Sequence, residues 1–224
     1  QAEAYWKGKE AHPDKLVQNP AWDAMKPVLE GKIPLMIHAD ETRQIKAAVE
    51  WAEERKYRMI LSGGQDAWKL ADWLGERKIP VVYLHMFTAP RYRNSPHDEQ
   101  FRAPGILAKA GVPLSIGFRL GGWTAANQRN LPYHAAHAVA HGLSREKALA
   151  SITIEPAKLA GVSKRLGTLE MGKEATFIAT TGDLLDLRSS VKHMVIAGKK
   201  TSLQSRHTRL YERYRSRPKP KDRP

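Results

Sequence analysis

The sequence predicts an α/β fold of parallel crossover units, followed by a small β-unit. Three observations predict it. Short apolar runs recur at strand length: IPLMIHA at 33–39, YRMILSGG at 57–64, IPVVYLHM at 79–86 and VPLSIGF at 112–118. Segments with apolar residues at helical spacing separate them. From Thr168 onward the text changes to short β-prone runs punctuated by glycine, TLEMGKEATFIATTGDLL and VKHMVIAGKKT. The first four runs are continuous rather than alternating. That suits parallel strands covered on both faces.

Each element has a local reason. Residues 21–30 read as a short helix closed by Gly31. After the first strand, residues 42–56 place Ile45, Val49 and Ala52 on one helical face, with Thr42 as the expected N-cap. Residues 65–78 form the next helix, with Trp68, Leu70, Ala71 and Leu74 on one side. A proline-rich loop spans 88–98, and 99–111 is helical at least in its second half. A glycine-rich loop, 119–132, leads to a helix at 133–142 stopped by Gly142. Helical turns at 144–152 and 155–161 follow. The expected organisation is 1–165 as the α/β part, 166–203 as the β-unit and 204–224 as a basic arm.

Composition bounds the chemistry. The chain has 224 residues, 42% of them hydrophobic, so it can bury a core. No uninterrupted apolar run reaches the length of a membrane span, and no membrane partner is expected. A soluble protein is expected, with no compartment indicated. Cysteine is absent, which excludes disulfides, thiolate metal sites and cysteine nucleophiles. Any metal must be held by His, Asp or Glu. The net charge is +14, and the tail from Arg206 is dense in Lys and Arg. Most basic residues alternate with acids, as on a solvated surface, and no nucleic-acid reader motif is present.

Candidate site residues gather at strand ends. His38 stands where an apolar strand meets Asp40 and Glu41. It reads as a metal ligand or as a histidine bonded to a neighbouring carbonyl or to Asp40. His85 ends the third strand and could contact substrate, replace a ligand or bond to a loop. His97-Asp98 reads as a turn. His134, His137 and His141 share one helix face, but there is no HExxH glutamate, so packing is the better reading. Gly63-Gly64 and Gly121-Gly122 fit no phosphate-loop pattern and read as tight turns. Arg119 could hold a substrate carboxylate. Leu210 and Tyr214 are expected to pack an amphipathic arm onto the body.

The segment TIEPAKLAGVSKRLGTLEMGKEATFIATTGD resembles the closing segment of the amidohydrolase superfamily. The matching positions are Thr153, Pro156, Ala157, Gly161, Val162, Leu166, Gly167, Leu169, Gly172, Lys173 and Ala175. VKHMVIAGK at 191–199 matches that family's final strand. The resemblance reaches back to roughly residue 25.

It implies the C-terminal half of a (βα)8 TIM-type barrel, strands five to eight, with part of a small β-sandwich unit. It implies a metal-dependent hydrolase of C–N bonds in amides or cyclic amides, with a divalent metal, most often zinc. His38 falls on the strand-five metal ligand, while His85 and Arg119 stand at the barrel mouth, where either could contact substrate. Two departures stand out. The strand-six histidine is missing near Ser62 and Gly63, and Phe118 occupies the place of the strand-eight catalytic Asp. With one ligand of the expected set, the chain reads as an incomplete hydrolase that holds a metal and a small-molecule substrate only if its site is completed. The alternative is a non-catalytic, degenerate barrel binding a small ligand or protein, with no metal of its own. Nucleic-acid binding through the tail ranks last. Half a barrel leaves open sheet edges, so self-association or pairing with the missing half is expected.

Overall fold

The structure is a computed structural model and describes residues 1–119 and 121–217. The chain divides into two compact units, Gln1–Thr168 and Leu169–Pro224. Among the described residues, no helix is long and apolar enough to cross a membrane.

The first unit opens with α1 (Ala2–Ala11), α2 (Pro20–Asp23) and α3 (Lys26–Leu29). The sequence reading did not anticipate α1, whose pattern is mostly polar. Tyr5 anchors it by donating from its hydroxyl to Asp23 at 3.2 Å. Then come β1 (Leu35–Ala39), α4 (Thr42–Glu54), β2 (Met59–Gly63), a 3-10 turn at Ala67–Leu70, α5 (Ala71–Glu76), β3 (Val81–Tyr83), α6 (Glu99–Lys109) and β4 (Leu114–Ile116). The four strands form one sheet in the order β1-β2-β3-β4, and every pairing is parallel. This is the α/β alternation of a TIM-type fold.

Register explains the two faces. Ile37, Leu61, Val81 and Leu114 lie side by side, as do Ala39, Gly63, Tyr83 and Ile116. These rows face the helices. Leu61, Val81 and Tyr83 are fully buried, with Ile45 and Val49 of α4 and Leu107 of α6. The Tyr83 hydroxyl reaches the Gln100 carbonyl of α6 at 3.2 Å. Each fully buried aliphatic here contributes about 1.5–3 kcal/mol. The opposite face carries Met36 beside Ile60, and His38 in one row with Ser62, Val82 and Ser115. On it Met36 is 63% exposed.

The N-cap of α4 is Glu41, one residue before the expected Thr42. Its carboxylate and the Gln44 side chain form a reciprocal capping box. The helix expected over 65–78 is broken at Leu70, where the 3-10 turn gives way to α5. The loop expected at 119–132 is partly helical, with α7 at Gly122–Asn127. After it come α8 (Leu131–Ala140), α9 (Arg145–Ser151) and α10 (Ile154–Leu159). The Ser115 hydroxyl of β4 donates to the Ser151 carbonyl at the end of α9, at 3.1 Å. β4 is therefore capped at the sheet edge. β1 is the other edge of the sheet.

The second unit holds an antiparallel sheet of β5 (Phe177–Thr180), β6 (Val191–Ile196) and β7 (Lys199–Lys200), then α11 (Arg206–Tyr214). The arm expected at 204–224 contains that helix, and its last residues lie outside the described ones.

Candidate functional site

Because the four strands are parallel, their carboxyl ends meet at one edge of the sheet. His38 projects from the end of β1 with 55% of its side chain exposed. Its Nε2 lies 3.3 Å from Asp40 Oδ2. The other Asp40 oxygen, Oδ1, lies 2.7 Å from His85 Nε2, just beyond β3. His85 Nδ1 in turn lies 3.1 Å from the Thr88 hydroxyl. One carboxylate therefore bridges two imidazoles, and the second imidazole is held from below.

Electrostatics assigns the protons. Burial holds His85 below the ordinary histidine range, with Asp40 pulling the other way and Arg119 and His38 adding to the lowering. Neutral His85 then donates from Nε2 to Asp40 and accepts at Nδ1 from Thr88, the tautomer that the two partners select. Burial pushes the Asp40 carboxyl upward, but His85 beside it, the hydrogen bond from His85, His38 and the Gln65 amide outweigh that and hold it below the usual carboxylate range. Asp40 is an anion at neutral pH. His38 Nε2 faces this anion at an ion-pair distance of 3.3 Å.

Gly63 makes the arrangement fit. It adopts a φ of +100°, and a Cβ there would stand 2.4 Å from Asp40 Oδ1 and 2.8 Å from His38 Cε1. The position beside the expected strand-six histidine is thus a backbone cradle into which Asp40 and His38 lean. Around it, the Asp66 amide donates to the Asp40 carbonyl and the Gly64 amide to the Ala39 carbonyl, both at 2.9 Å. Glu41 pairs with Arg91 of the loop after β3.

An aromatic wall stands beyond β4. Phe118 packs against His134 of α8, with ring centroids 4.2 Å apart. Phe87 contacts both His134 and His137, at 4.7 and 4.8 Å. Phe101 lies against His137 and His141, at 5.4 and 5.0 Å. The three helical histidines are packing partners of phenylalanines. Phe87 remains 56% exposed.

The sequence-predicted residues thus divide. His38 and His85 are brought together, through Asp40. His85, expected to contact substrate, is fully buried with both ring nitrogens engaged, so its reach toward the mouth is through Asp40. Arg119 is exposed, and its charge is felt at His85. Phe118 offers no carboxylate and turns to His134. Sequence reasoning treated Asp40 only as a neighbour of His38. The signal was its place two residues after a strand-end histidine.

A metal fits this set poorly. Among the described residues, no group of three or more His, Asp or Glu side chains is placed to hold a metal ion. His38 offers one nitrogen, and both Asp40 oxygens are already occupied by imidazoles. Zinc takes three or four protein ligands.

The sequence profile of the amidohydrolase family matches residues 23–201. The chain belongs to the amidohydrolase family. An amidohydrolase from Thermotoga maritima is 26% identical, with a TM-score of 0.78. The match covers 90% of this chain and 52% of that one. A prolidase solved with N-methylphosphonate-L-proline is 21% identical, covering 84% of this chain and 50% of that one at a TM-score of 0.60. A Xaa-Pro dipeptidase with bound methionine is 17% identical, covering 83% and 59% at a TM-score of 0.51. These last two are alike in fold alone. The chain spans about half the length of the first solved structures it matches. No curated protein sequence matches it.

Proposed function

We propose that this chain is the C-terminal half of an amidohydrolase barrel and forms one side of a C–N bond hydrolase site. The observation that carries the reading is the bridge from His85 through Asp40 to the exposed His38, at the carboxyl ends of parallel strands, where barrel active sites lie. His38 is the group positioned to take a proton at Nδ1. Asp40 faces it across the strand ends, and His85 holds Asp40. Arg119 is the group for a substrate carboxylate, which points to amides bearing a free acid, such as N-acyl amino acids. Metal ligands beyond His38 have to come from a complementary surface, and no step is assigned to a metal here.

The complement is either a second copy or another polypeptide carrying the first half of a barrel. The uncapped β1 edge, with Met36 exposed beside it, favours such an association. A second reading is a ligand-binding relic without catalysis. Phe118 favours it, since its ring fills the place of the strand-eight acid and packs on His134.

The test measures mass, zinc content and hydrolysis of N-acyl amino acids on the same purified sample, with and without His38→Ala. The hydrolase reading expects an assembled species whose activity falls by about 100-fold or more in the variant. An inactive, zinc-free monomer of 25.2 kDa would leave the relic reading.

A further inference from the structure

The second unit carries a feature that hydrolysis does not use. α11 is a helix whose every residue is exposed, opened by a reciprocal capping box between Ser205 and Thr208. Leu210 is 38% and Tyr214 41% exposed. At about 100° per residue, Arg206, Arg209 and Arg213 fall at i, i+3 and i+7 on one face. Among the described residues, none of the three pairs with a carboxylate. The one acid of the helix, Glu212, stands three residues past Arg209 and pairs with Arg215 at 2.9 Å. Arg213 and Arg217 lie over the Tyr214 ring, 5.5 and 4.3 Å from its centroid. That stacking keeps two guanidiniums extended beside one aromatic face.

Nine-residue helices are marginal in water, and like charges at this spacing oppose one another. Three guanidiniums on one face, unpaired with any carboxylate among the described residues, are complementary to a polyanion. The apolar side of the helix is thin: Leu210, Tyr211 and Tyr214, with no Phe, Trp or Ile. Insertion into a bilayer interface depends on a broad apolar face. Phosphate contacts depend only on the arginines.

We propose that α11 is a docking helix for nucleic acid, gripping the phosphate backbone through Arg206, Arg209 and Arg213 without reading sequence. This reverses the ranking that the sequence alone supports, where no reader motif was found. Phosphate gripping requires none.

The test is fluorescence anisotropy of the full chain with a labelled duplex of arbitrary sequence, across a salt series. Each phosphate contact contributes roughly 0.9 to the slope of log affinity against log salt. The triple variant Arg206→Gln, Arg209→Gln, Arg213→Gln is expected to lose at least about tenfold in affinity at low salt and to flatten the slope by about 2.7. Lysine at the same three positions retains binding, and Arg215→Gln stays within about twofold of the parent. Failure of the parent chain to bind duplex overturns the proposal. So does an unchanged glutamine variant, or tighter binding to vesicles rich in phosphatidylserine than to duplex. Circular dichroism on each variant separates lost contacts from a lost helix.

Discussion

Asp40 accepts from the buried His85 at 2.7 Å with one oxygen while the other faces the exposed His38 at 3.3 Å. A single carboxylate thus couples a sealed imidazole to an open one. Its removal should be felt on both sides.

Asp40→Asn replaces the anion by an amide that cannot accept from both imidazoles in the same way. His85 would keep Thr88 but lose its charged acceptor inside the fold. The expected cost is on the order of 2–3 kcal/mol in urea unfolding. The double variant with His85→Leu should cost less than the sum of the two singles, since both remove one interaction. Strict additivity would show that the two residues do not act as a pair.

Gly63→Ala tests the cradle. Gly31 and Gly63 both adopt positive φ, +69° and +100°. Nothing lies within 4 Å of a Cβ at Gly31, whereas one at Gly63 collides with Asp40 and His38. Alanine at Gly31 should cost about 1 kcal/mol of backbone strain. Alanine at Gly63 should cost at least about 2 kcal/mol more and shift the His38 ring resonances in NMR. Equal losses at both positions would remove the cradle.

Acid should weaken the fold through His134. It is buried, its Nδ1 has no hydrogen-bond partner, and burial, then the neighbouring His137, lower its pKa to about 4. A lowered histidine pKa means that the unfolded chain takes up the proton first. Stability is therefore full above the ordinary value near 6.5 and falls as the pH drops toward about 4, by at most about 3 kcal/mol. His85, also lowered, acts in the same direction, and Asp40 adds its loss at lower pH still. His134→Leu should flatten the decline between pH 6.5 and 4 in thermal melts. An unchanged slope would exclude His134 as its source.

Open strand edges invite pairing, and β1 ends the sheet with Met36 exposed beside it. Light scattering should give a mass above 25.2 kDa, and Met36→Lys should return the chain to that value. A monomeric parent would dismiss the association proposed through β1.

Much of the fold was legible in the residues. The four apolar runs became four parallel strands, because a segment with no polar face must be covered on both sides. The spacing of Ile45, Val49 and Ala52 set the buried face of α4. The amidohydrolase likeness was carried by the run from Thr153 to Ala175, and His38 was placed at a strand end by the run that precedes it. Less local features were missed. α1 has a mostly polar pattern and is held by Tyr5 reaching Asp23, eighteen residues away. The turn of α5 is broken where Leu70 leaves the helical path, which periodicity does not register.

The sequence by itself determined the order of strands and helices, the family, and the chemical poverty of the site: no cysteine, no histidine near Ser62, a phenylalanine at 118. These are properties of residue type and short-range spacing. Only the tertiary structure decided that Asp40 is the hub, since its partner His85 lies 45 positions along the chain and meets it where parallel strands end together. The same holds for Gly63, whose missing side chain matters solely because Asp40 and His38 occupy that space. Contacts between strands depend on register and twist, which no single segment encodes.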